Sequence, residues 1–380
     1  MPCVPVVYSL RGIFWLNAHQ DFGSFLGVCL THFVLIVRPH PLHQSLLEKC
    51  CLLEFSHPHD IVMSTSAKLN VVIGGGTGLI GRVLASSLLS RNANVRIITR
   101  NPKHSGDLSW NVVESCGLPE DTHVVINLAG RNVGEVSPKL LIPSYRQAYL
   151  QDIYSSRVRA TQILVKSTPK TTKTFINASA IGFYEPHLSR CYTESDLSVD
   201  YGFLSRLVRD WETACFGTQL EGVQRVLVRT GIVLSKDGGA LSKMYLSHRL
   251  GLGGPIGSGR QWLSWIHIDD LVNLYCFLIM NSAGQRLSGA VNGTAPCPVR
   301  QGAFSRALSE ALGVPSFGGH IPMPAFIIRA IMGRERAPLL LEGQRVLPAK
   351  AQAAGFEFNF PTLESALENI YGKRPQPVSN

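Results

Sequence analysis

The chain has 380 residues, of which 45% are apolar and 16% are charged, and its formal net charge at pH 7 is +10. This length allows one large domain or two smaller ones with substantial cores. The positive charge suits an anionic ligand, but the basic residues are scattered and form no nucleic-acid-binding motif, so we expect a phosphate-bearing small molecule rather than a nucleic acid. The nine cysteines include no C-x-x-C pair, which predicts no metal site and reduced thiols in an intracellular protein, cytoplasmic and mitochondrial locations both remaining open.

The start of the chain differs in character from the rest. Residues 1–62 contain six of the twelve histidines and four of the nine cysteines, and they show no sustained periodicity. The apolar run Phe22–Val37 is short for a membrane span and lies too far in for a signal peptide. No membrane association is expected for the folded part of the chain. Acidic residues argue against a mitochondrial presequence. We predict a poorly ordered extension over residues 1–66, with a natural start of the functional protein at Met63.

A glycine-rich turn follows the first buried strand pattern. The apolar run Val71–Ile73 leads into Gly75-x-x-Gly78-x-x-Gly81, which opens the helical segment LIGRVLASSLLSR. Strand, glycine turn, helix and second strand in this order predict a dinucleotide site, with the pyrophosphate at the helix N-terminus. The predicted contacts are Gly74, Gly75, Gly76, Thr77, Gly78, Leu79, Ile80 and Gly81.

The second strand, NVRIITR, ends in Thr99 and Arg100. An NAD-specific protein carries an acidic residue here, which would repel a 2′-phosphate, whereas arginine pairs with that phosphate through two hydrogen bonds. The pattern therefore predicts NADP(H) as the cofactor. The alternative is a solvated arginine at the end of a strand.

Two further strand patterns, HVVINLAG and KTFINASAIGFY, alternate with helical segments, and the second of them carries Ser179. This alternation predicts an α/β fold, a Rossmann-type doubly wound parallel sheet with a small α/β C-terminal substrate domain or lid. We expect an NADP-binding domain over residues 67–235 and substrate-side segments with the C-terminal domain over residues 236–372. One Rossmann strand is expected to return near residues 262–280, and residues 373–380 form a tail.

Six blocks of sequence carry a family resemblance. They are GGGTGLIG, VINLAG, INASAIGFY, LVRTGIVLSKDGGAL, GLGGPIGSGRQWLSWIHIDDLV and LLEGQRVLPAKAQAAGFEFNFPTLESAL. From about Leu69 to about Tyr371 the chain resembles the extended short-chain dehydrogenase/reductases, and more narrowly their atypical epimerase-family subgroup 39U, which ends in a small C-terminal domain of unknown function. The resemblance implies bound NADP(H) and an oxidoreductase or epimerase activity.

The resemblance also assigns cofactor contacts. It places the glycine turn at the pyrophosphate and Thr99 with Arg100 at the adenosine phosphate. It adds contacts from the end of the third strand and from the helix after it: Leu128, Ala129, Gly130, Asp152 and Arg157. For Asp152 and Arg157 the alternative is an exposed pair on one helix face.

The catalytic pair of these reductases, Tyr-x-x-x-Lys, is missing, because none of the ten tyrosines has a lysine four residues later. Ser179 holds the place of the family's serine. Tyr184 is our candidate for a substitute acid, and the alternative is an aromatic residue packed under the loop. If Arg206 aligns with the usual lysine, Gly202 takes the tyrosine's place. Further candidates for proton transfer are Glu185, His187 and His267.

The substrate side begins with a glycine-rich segment over residues 251–259, which predicts a loop over the cleft with candidate contacts Arg260, Gln261 and Trp262. The alternative is a structural Ω-loop. A basic cluster follows in the C-terminal part: Arg334, Arg336, Arg345 and Lys350. These cations suit an anionic small-molecule substrate, although solvated surface charge explains them equally. The sequence favours an NADP(H)-dependent oxidoreductase or epimerase with a nonstandard proton donor. The alternative is a catalytically weak or inactive NADP(H)-binding redox sensor, and the oligomeric state stays open.

Overall fold

The computed structural model of the chain describes residues 7–8, 33–34, 68–218, 220–250, 253–280, 287–314, 322–373 and 375. The chain divides into two units, Met1–Ser66 and Ala67–Asn380. In the first unit, strand β1 (Val7–Tyr8) pairs antiparallel with β2 (Phe33–Val34). Apart from these four residues, the predicted extension over residues 1–66 lies outside the described residues, and so does the predicted start at Met63.

The second unit alternates strands and helices. Its strands are β3 (Asn70–Gly74), β4 (Asn94–Thr99), β5 (Leu108–Ser109), β6 (Val124–Asn127), β7 (Thr174–Ala180), β8 (Cys191–Tyr192), β9 (Gln224–Thr230), β10 (Ile232–Leu234), β11 (Trp262–Leu263), β12 (Trp265–His267), β13 (Gly289–Gly293), β14 (Val299–Arg300) and β15 (Arg345–Val346). Its α-helices are α1 (Leu79–Ser90), α2 (Trp110–Cys116), α3 (Pro143–Ser167), α4 (Phe203–Phe216), α5 (Gly239–Arg249), α6 (Ile268–Met280), α7 (Gln301–Leu312), α8 (Ala325–Met332), α9 (Pro338–Leu341), α10 (Ala349–Ala353) and α11 (Leu363–Tyr371). Short 3₁₀ turns cover Pro138–Leu141 and Ile181–Phe183. None of the helices in these ranges has both the length and the apolar character needed to cross a bilayer.

Seven parallel strands form the central sheet in the spatial order β13-β9-β7-β6-β3-β4-β5. The strand order reverses between β3 and β6, which is the position where doubly wound sheets open a ligand crevice at the carboxyl ends of their strands. The predicted Rossmann-type fold is therefore confirmed.

Both faces of the sheet are covered, which is why its strands read as continuous apolar runs. Val71 and Ile73 point into a core shared with Leu84 of α1 and Leu271 of α6. On the other face, Val72 packs in a second core together with side chains of α2, α3 and α4, including Val113, Leu164 and Cys215. Because side chains alternate along a strand, one strand supplies both layers.

The strand that the C-terminal half adds to the sheet is β13, Gly289–Gly293. We predicted this strand near residues 262–280, and that position was wrong. Those residues form β11, β12 and the whole of α6. Strand β12 pairs in parallel with β10 outside the seven-stranded sheet. The apolar run WIHI fits a strand, but periodicity alone does not say which sheet a strand joins.

The C-terminal part has a core of its own. Leu241 of α5, Trp265 of β12, Phe304 of α7 and Leu367 of α11 are buried together. The carboxylate of Asp270 on α6 accepts the backbone N–H groups of residues 359 and 360, at 2.8 and 2.9 Å. These bonds attach the segment before α11 to α6.

Candidate functional site

The glycine turn between β3 and α1 depends on close backbone approach. Gly75 has a φ of +78°, and a Cβ atom there would lie 2.8 Å from the backbone nitrogen of Ala129. A Cβ at Gly81 would lie 2.5 Å from the carbonyl oxygen of Gly75. Larger residues would therefore push α1 away from the turn, and the turn away from the end of β6.

The N-terminus of α1 opens into the crevice. Gly78 is its N-cap and supplies no side-chain bond, the first turn has no acidic residue, and Thr77 and Gly78 are exposed. The N–H of Arg82 reaches back to the carbonyl of Gly78 at 3.0 Å, so the N–H groups of the first turn before it point outward without a helical acceptor. Together with the helix dipole they form a site for an anion such as a pyrophosphate.

Arg100 lies at the end of β4, next to β3 in the sheet. Its side chain is exposed, and among the described residues it makes no ion pair. Thr99 before it is half-buried, and its hydroxyl accepts the N–H of Asn101 at 3.4 Å. The guanidinium is therefore available to a ligand that lies across the end of β4.

The end of β6 is held by a buried amide that the sequence analysis did not select. The side-chain amide of Asn127 donates to Asn177 at 2.7 Å and to Thr161 at 2.9 Å. Its side-chain oxygen, Oδ1, accepts the N–H of Ala129 at 3.1 Å. The N–H of Leu128 donates to the carbonyl of Gly74 at 2.8 Å. The predicted contacts Leu128 and Ala129 are thus brought against the glycine turn, and Gly130 follows them and lies against Arg157. A polar residue closing an apolar strand was the available signal.

The structure separates the two predicted helix residues. Asp152 is exposed and pairs with Arg131 at 2.5 Å. Arg157 lies half-buried against Gly130, where a Cβ would be 2.9 Å from the guanidinium carbon. Burial lowers the pKa of Arg157 to about 10, so it stays cationic at pH 7, and no carboxylate among the described residues pairs with it. A desolvated, unpaired cation at this edge fits a phosphate or ribose ligand.

Ser179 belongs to a buried polar network. Its hydroxyl donates to Glu212 of α4 at 2.6 Å. Glu212 in turn accepts two bonds of 2.8 Å from Arg229 of β9. We call the set Ser179, Glu212, Arg229, Tyr184 and Asn292 the buried network. Glu212 and Arg229 were not among the sequence candidates, although an arginine inside the apolar run VLVRTGIVL signals a buried partner.

Tyr184, the candidate acid, is 0% exposed. Its hydroxyl donates to Asn292 at 2.8 Å and accepts from Arg229 at 2.9 Å, and its ring stacks on Tyr192. Burial raises the pKa of Tyr184, which makes it a poorer proton donor at neutral pH. The geometry thus corrects the acid assignment in favour of the stated alternative, an aromatic residue packed under the loop.

No cation stands beside a tyrosine where the family's catalytic pair is expected in the described part of α4. Gly202 is the N-cap of this helix, and Arg206 is exposed and lies 3.6 Å from Asp200. The hydroxyl of Tyr201 donates to the carbonyl of Gly182 at 2.5 Å, and burial raises its pKa. Arg206 therefore does not substitute for the lysine in this arrangement.

The remaining proton-transfer candidates are a buried histidine, His267, and two residues of one loop, Glu185 and His187. His267 is 2% exposed, its ring lies 4.0 Å from that of Phe360, and burial lowers its pKa. His187 is exposed, and its Nδ1 accepts the backbone N–H groups of Ser189 and Arg190. Glu185 is half-buried. His267 is thus a core residue, and His187 orders its own loop.

The substrate-side candidates also divide. Gln261 is buried, and its amide donates to the carbonyls of Ile256 and Leu340. Trp262 is buried with its indole N–H on the carbonyl of Leu188. Arg260 is exposed. These bonds make Gln261 a support of the loop rather than a ligand contact.

The predicted basic cluster is only partly a surface feature. Arg334 is exposed and Arg345 and Lys350 are half-buried, but Arg336 is 1% exposed. Arg336 donates to the carbonyls of Val133 and Glu135 in the loop after β6. The C-terminal part therefore holds a loop at the edge of the crevice. No group of His, Cys, Asp and Glu side chains within the described ranges could hold a metal ion.

Residues 71–292 match the NAD dependent epimerase/dehydratase family, and residues 323–370 match a domain of unknown function (DUF1731). The epimerase family protein SDR39U1 of Bos taurus is 38% identical over 308 residues, 80% of this chain and 99% of the bovine protein. An epimerase family protein of Staphylococcus aureus is 38% identical over 313 residues, 80% of this chain and 99% of that protein. The crystal structure of the human epimerase family protein SDR39U1 (isoform2) with NADPH has a TM-score of 0.72 and 35% identity, covering 80% of this chain and 99% of the human chain.

These matches cover both the sheet with its glycine turn and the C-terminal part, and they confirm the resemblance seen in the sequence blocks. The chain belongs to the NAD dependent epimerase/dehydratase family, in the epimerase-family subgroup of the extended short-chain dehydrogenase/reductases that ends in this C-terminal domain of unknown function.

Proposed function

We propose that the chain is an NADP(H)-dependent oxidoreductase or epimerase that acts on a small anionic molecule without a Tyr-x-x-x-Lys pair. The observation that carries the cofactor is the exposed, unpaired Arg100 at the end of β4, beside the open N-terminus of α1. The NADPH in the related human crystal structure supports the same choice. When bound, the nicotinamide would supply or accept a hydride.

Several of the predicted contacts have a physical role in this proposal. The backbone of Gly75–Gly81 takes the pyrophosphate, and Arg100 pairs with the 2′-phosphate. Arg157, a cation kept from carboxylates, lies beside Gly130 where the ribose would pass. Ser179 directs its proton to Glu212 at 2.6 Å, so towards a ligand it offers oxygen lone pairs and would orient a hydroxyl group rather than a carbonyl oxygen.

Cofactor choice is tested by isothermal titration calorimetry on Arg100→Ala. A charge-assisted hydrogen bond contributes about 1.5–3 kcal/mol, so the dissociation constant for NADPH should rise roughly 10- to 150-fold, while that for NADH stays unchanged. Arg96→Ala is the matched control, because Arg96 lies on the same strand but pairs with Asp121. If the wild-type protein prefers NADH, or if Arg100→Ala keeps the wild-type preference for NADPH over NADH, the assignment of Arg100 to the 2′-phosphate is wrong.

A second candidate is a redox sensor that binds NADP(H) with little or no turnover. It is favoured by the internal bonds of Ser179 and Tyr184, which leave neither hydroxyl proton free for a substrate. Incubating the NADPH-loaded protein with a broad panel of carbonyl compounds, and the NADP⁺-loaded protein with alcohols, distinguishes the two. Turnover of any panel member supports the enzyme, and none in the panel or in cell extract supports the sensor.

A further inference from the structure

Two arginines of the C-terminal half lie against one tryptophan with a third beside them, and we call Arg260, Arg300 and Arg345 the arginine cluster. The guanidinium carbon of Arg300 lies 3.8 Å from the centre of the Trp262 ring, and that of Arg345 lies 4.7 Å from it. Arg300 also donates to the backbone carbonyl of Arg260 at 2.6 Å. Two positive charges, from β14 and β15, thus lie against one aromatic side chain, and the charge of Arg260 is close enough to act on Arg300.

The fold fixes this arrangement. Trp262 of β11 stands directly opposite Arg300 of β14 in an antiparallel pair, so the two side chains are cross-strand neighbours. Arg345 arrives from β15, two residues after Gly343, where a Cβ would lie 1.9 Å from the carbonyl oxygen of Trp262. The indole N–H of Trp262 is bonded to Leu188. The aromatic platform is therefore held from three sides.

The cluster has no negative partner among the described residues. None of the ion pairs in this part of the chain includes a member of the cluster, and the Nε of Arg345 is buried with no hydrogen-bond partner. Burial, together with the charges of Arg260 and Arg345, lowers the pKa of Arg300. Arg260 is exposed, but Arg300 and Arg345 are half-buried, and like charges held together and partly out of water are unfavourable in the free protein unless an anion joins them.

The arginine cluster is linked by hydrogen bonds to the loop that follows β7. Gln344, next to Arg345, donates to the carbonyl of Tyr184, in the loop that follows the strand of Ser179. Leu188, which holds Trp262, belongs to the same loop. A ligand bound at the cluster would therefore touch the loop at the carboxyl end of β7, where a doubly wound sheet presents its substrates.

We propose that the arginine cluster is a binding site for a polyanionic oxyanion group, a phosphate ester or a polycarboxylate, and that this group is the charged end of the substrate. Arg300 uses one N–H group on the carbonyl of Arg260, and the remaining N–H groups of guanidiniums that lie against an indole face match the paired oxygens of phosphate or carboxylate. The assignment of this group to the substrate rests on the proposed function, whereas the anion site itself does not.

The test is calorimetry on the full chain saturated with NADP⁺, so that the phosphate site at α1 is filled, with pyrophosphate and citrate titrated separately at low salt. One further anion per chain is expected, with affinity falling as salt is raised. Arg300→Gln and Arg345→Gln should each weaken it at least ~10-fold, and Arg300→Lys should weaken it less. Arg334→Gln changes an exposed arginine of the same half and should leave the affinity for the anion unchanged. None of the four variants should change the affinity for NADP⁺.

The two probes separate the chemical sources: binding of pyrophosphate alone indicates a phosphate ester, and binding of citrate alone indicates a polycarboxylate. If neither anion binds at millimolar concentration, or if both bind equally to wild type and to the Arg300→Gln/Arg345→Gln double variant, the site does not exist. Melting temperatures exclude unfolding as the cause of any loss. If NADP⁺ itself fails to bind, the proposed function fails, and loss of anion binding in the double variant still reports on the cluster.

Discussion

Glu212→Gln should destabilise the protein strongly, because it removes the only carboxylate bonded to Arg229 among the described residues. The side chains of Glu212 and Arg229 are 10% and 6% exposed, and two bonds of 2.8 Å join them. Although burial lowers it, the bonds to Glu212 keep the pKa of Arg229 above its ordinary value. Breaking a buried pair on one side leaves an uncompensated charge and costs about 3–5 kcal/mol.

Urea denaturation followed by tryptophan fluorescence measures this loss as a lower free energy of unfolding. Glu114→Gln is the matched control: its pair with Arg159 is 47% and 68% exposed, so its loss should cost less than ~1 kcal/mol. The double variant Glu212→Leu/Arg229→Met should recover much of the loss, since it removes both buried charges. Equal effects of Glu212→Gln and Glu114→Gln would show that the buried network does not stabilise the fold.

Two further predictions concern the buried basic side chains Arg336 and His248. Arg336→Met should lower the free energy of unfolding by roughly 3 kcal/mol, because Arg336 bonds two carbonyls of the loop after β6, and it should also weaken NADPH binding in calorimetry; Arg334→Met should do neither. Burial lowers the pKa of His248, so the unfolded chain binds this proton more tightly and stability should fall as the pH drops below about 6.5. His248→Gln should flatten that fall in denaturation curves from pH 7 to 5, and a slope equal to that of the exposed His104→Gln variant would contradict it.

The cofactor half of the molecule was predictable because its signals are local. Gly75 and Gly81 lie six residues apart, and the distances that require glycine involve only the turn itself and the adjoining end of β6. Arg100 follows the next strand in the chain, and parallel strands bring their carboxyl ends to one edge. Motif, strand order and edge position therefore reinforce one another before any long-range contact is known.

The returning strand β13 was misplaced for a different reason. Its sequence is GAVNG, in which only alanine and valine are apolar side chains. The segment Trp265–His267 has the clearer strand pattern. Membership of the central sheet is decided by pairing with β9, over sixty residues earlier in the chain. Local strand preference carries no information on that partner.

The buried network was not predictable in the same way, and the cause is sequence separation. Ser179 meets Glu212 33 residues later, and Tyr184 meets Asn292 108 residues later. Read locally, Glu212 is an ordinary helix charge and Tyr184 an ordinary loop aromatic. Only the packing of α4 against the sheet, beside the paired strands β7 and β9, turns both into members of the buried network, in which the hydroxyls of Ser179 and Tyr184 donate to Glu212 and Asn292. Neither hydroxyl proton is then free in this arrangement, and the sequence offers no tyrosine with a lysine four residues later to replace them.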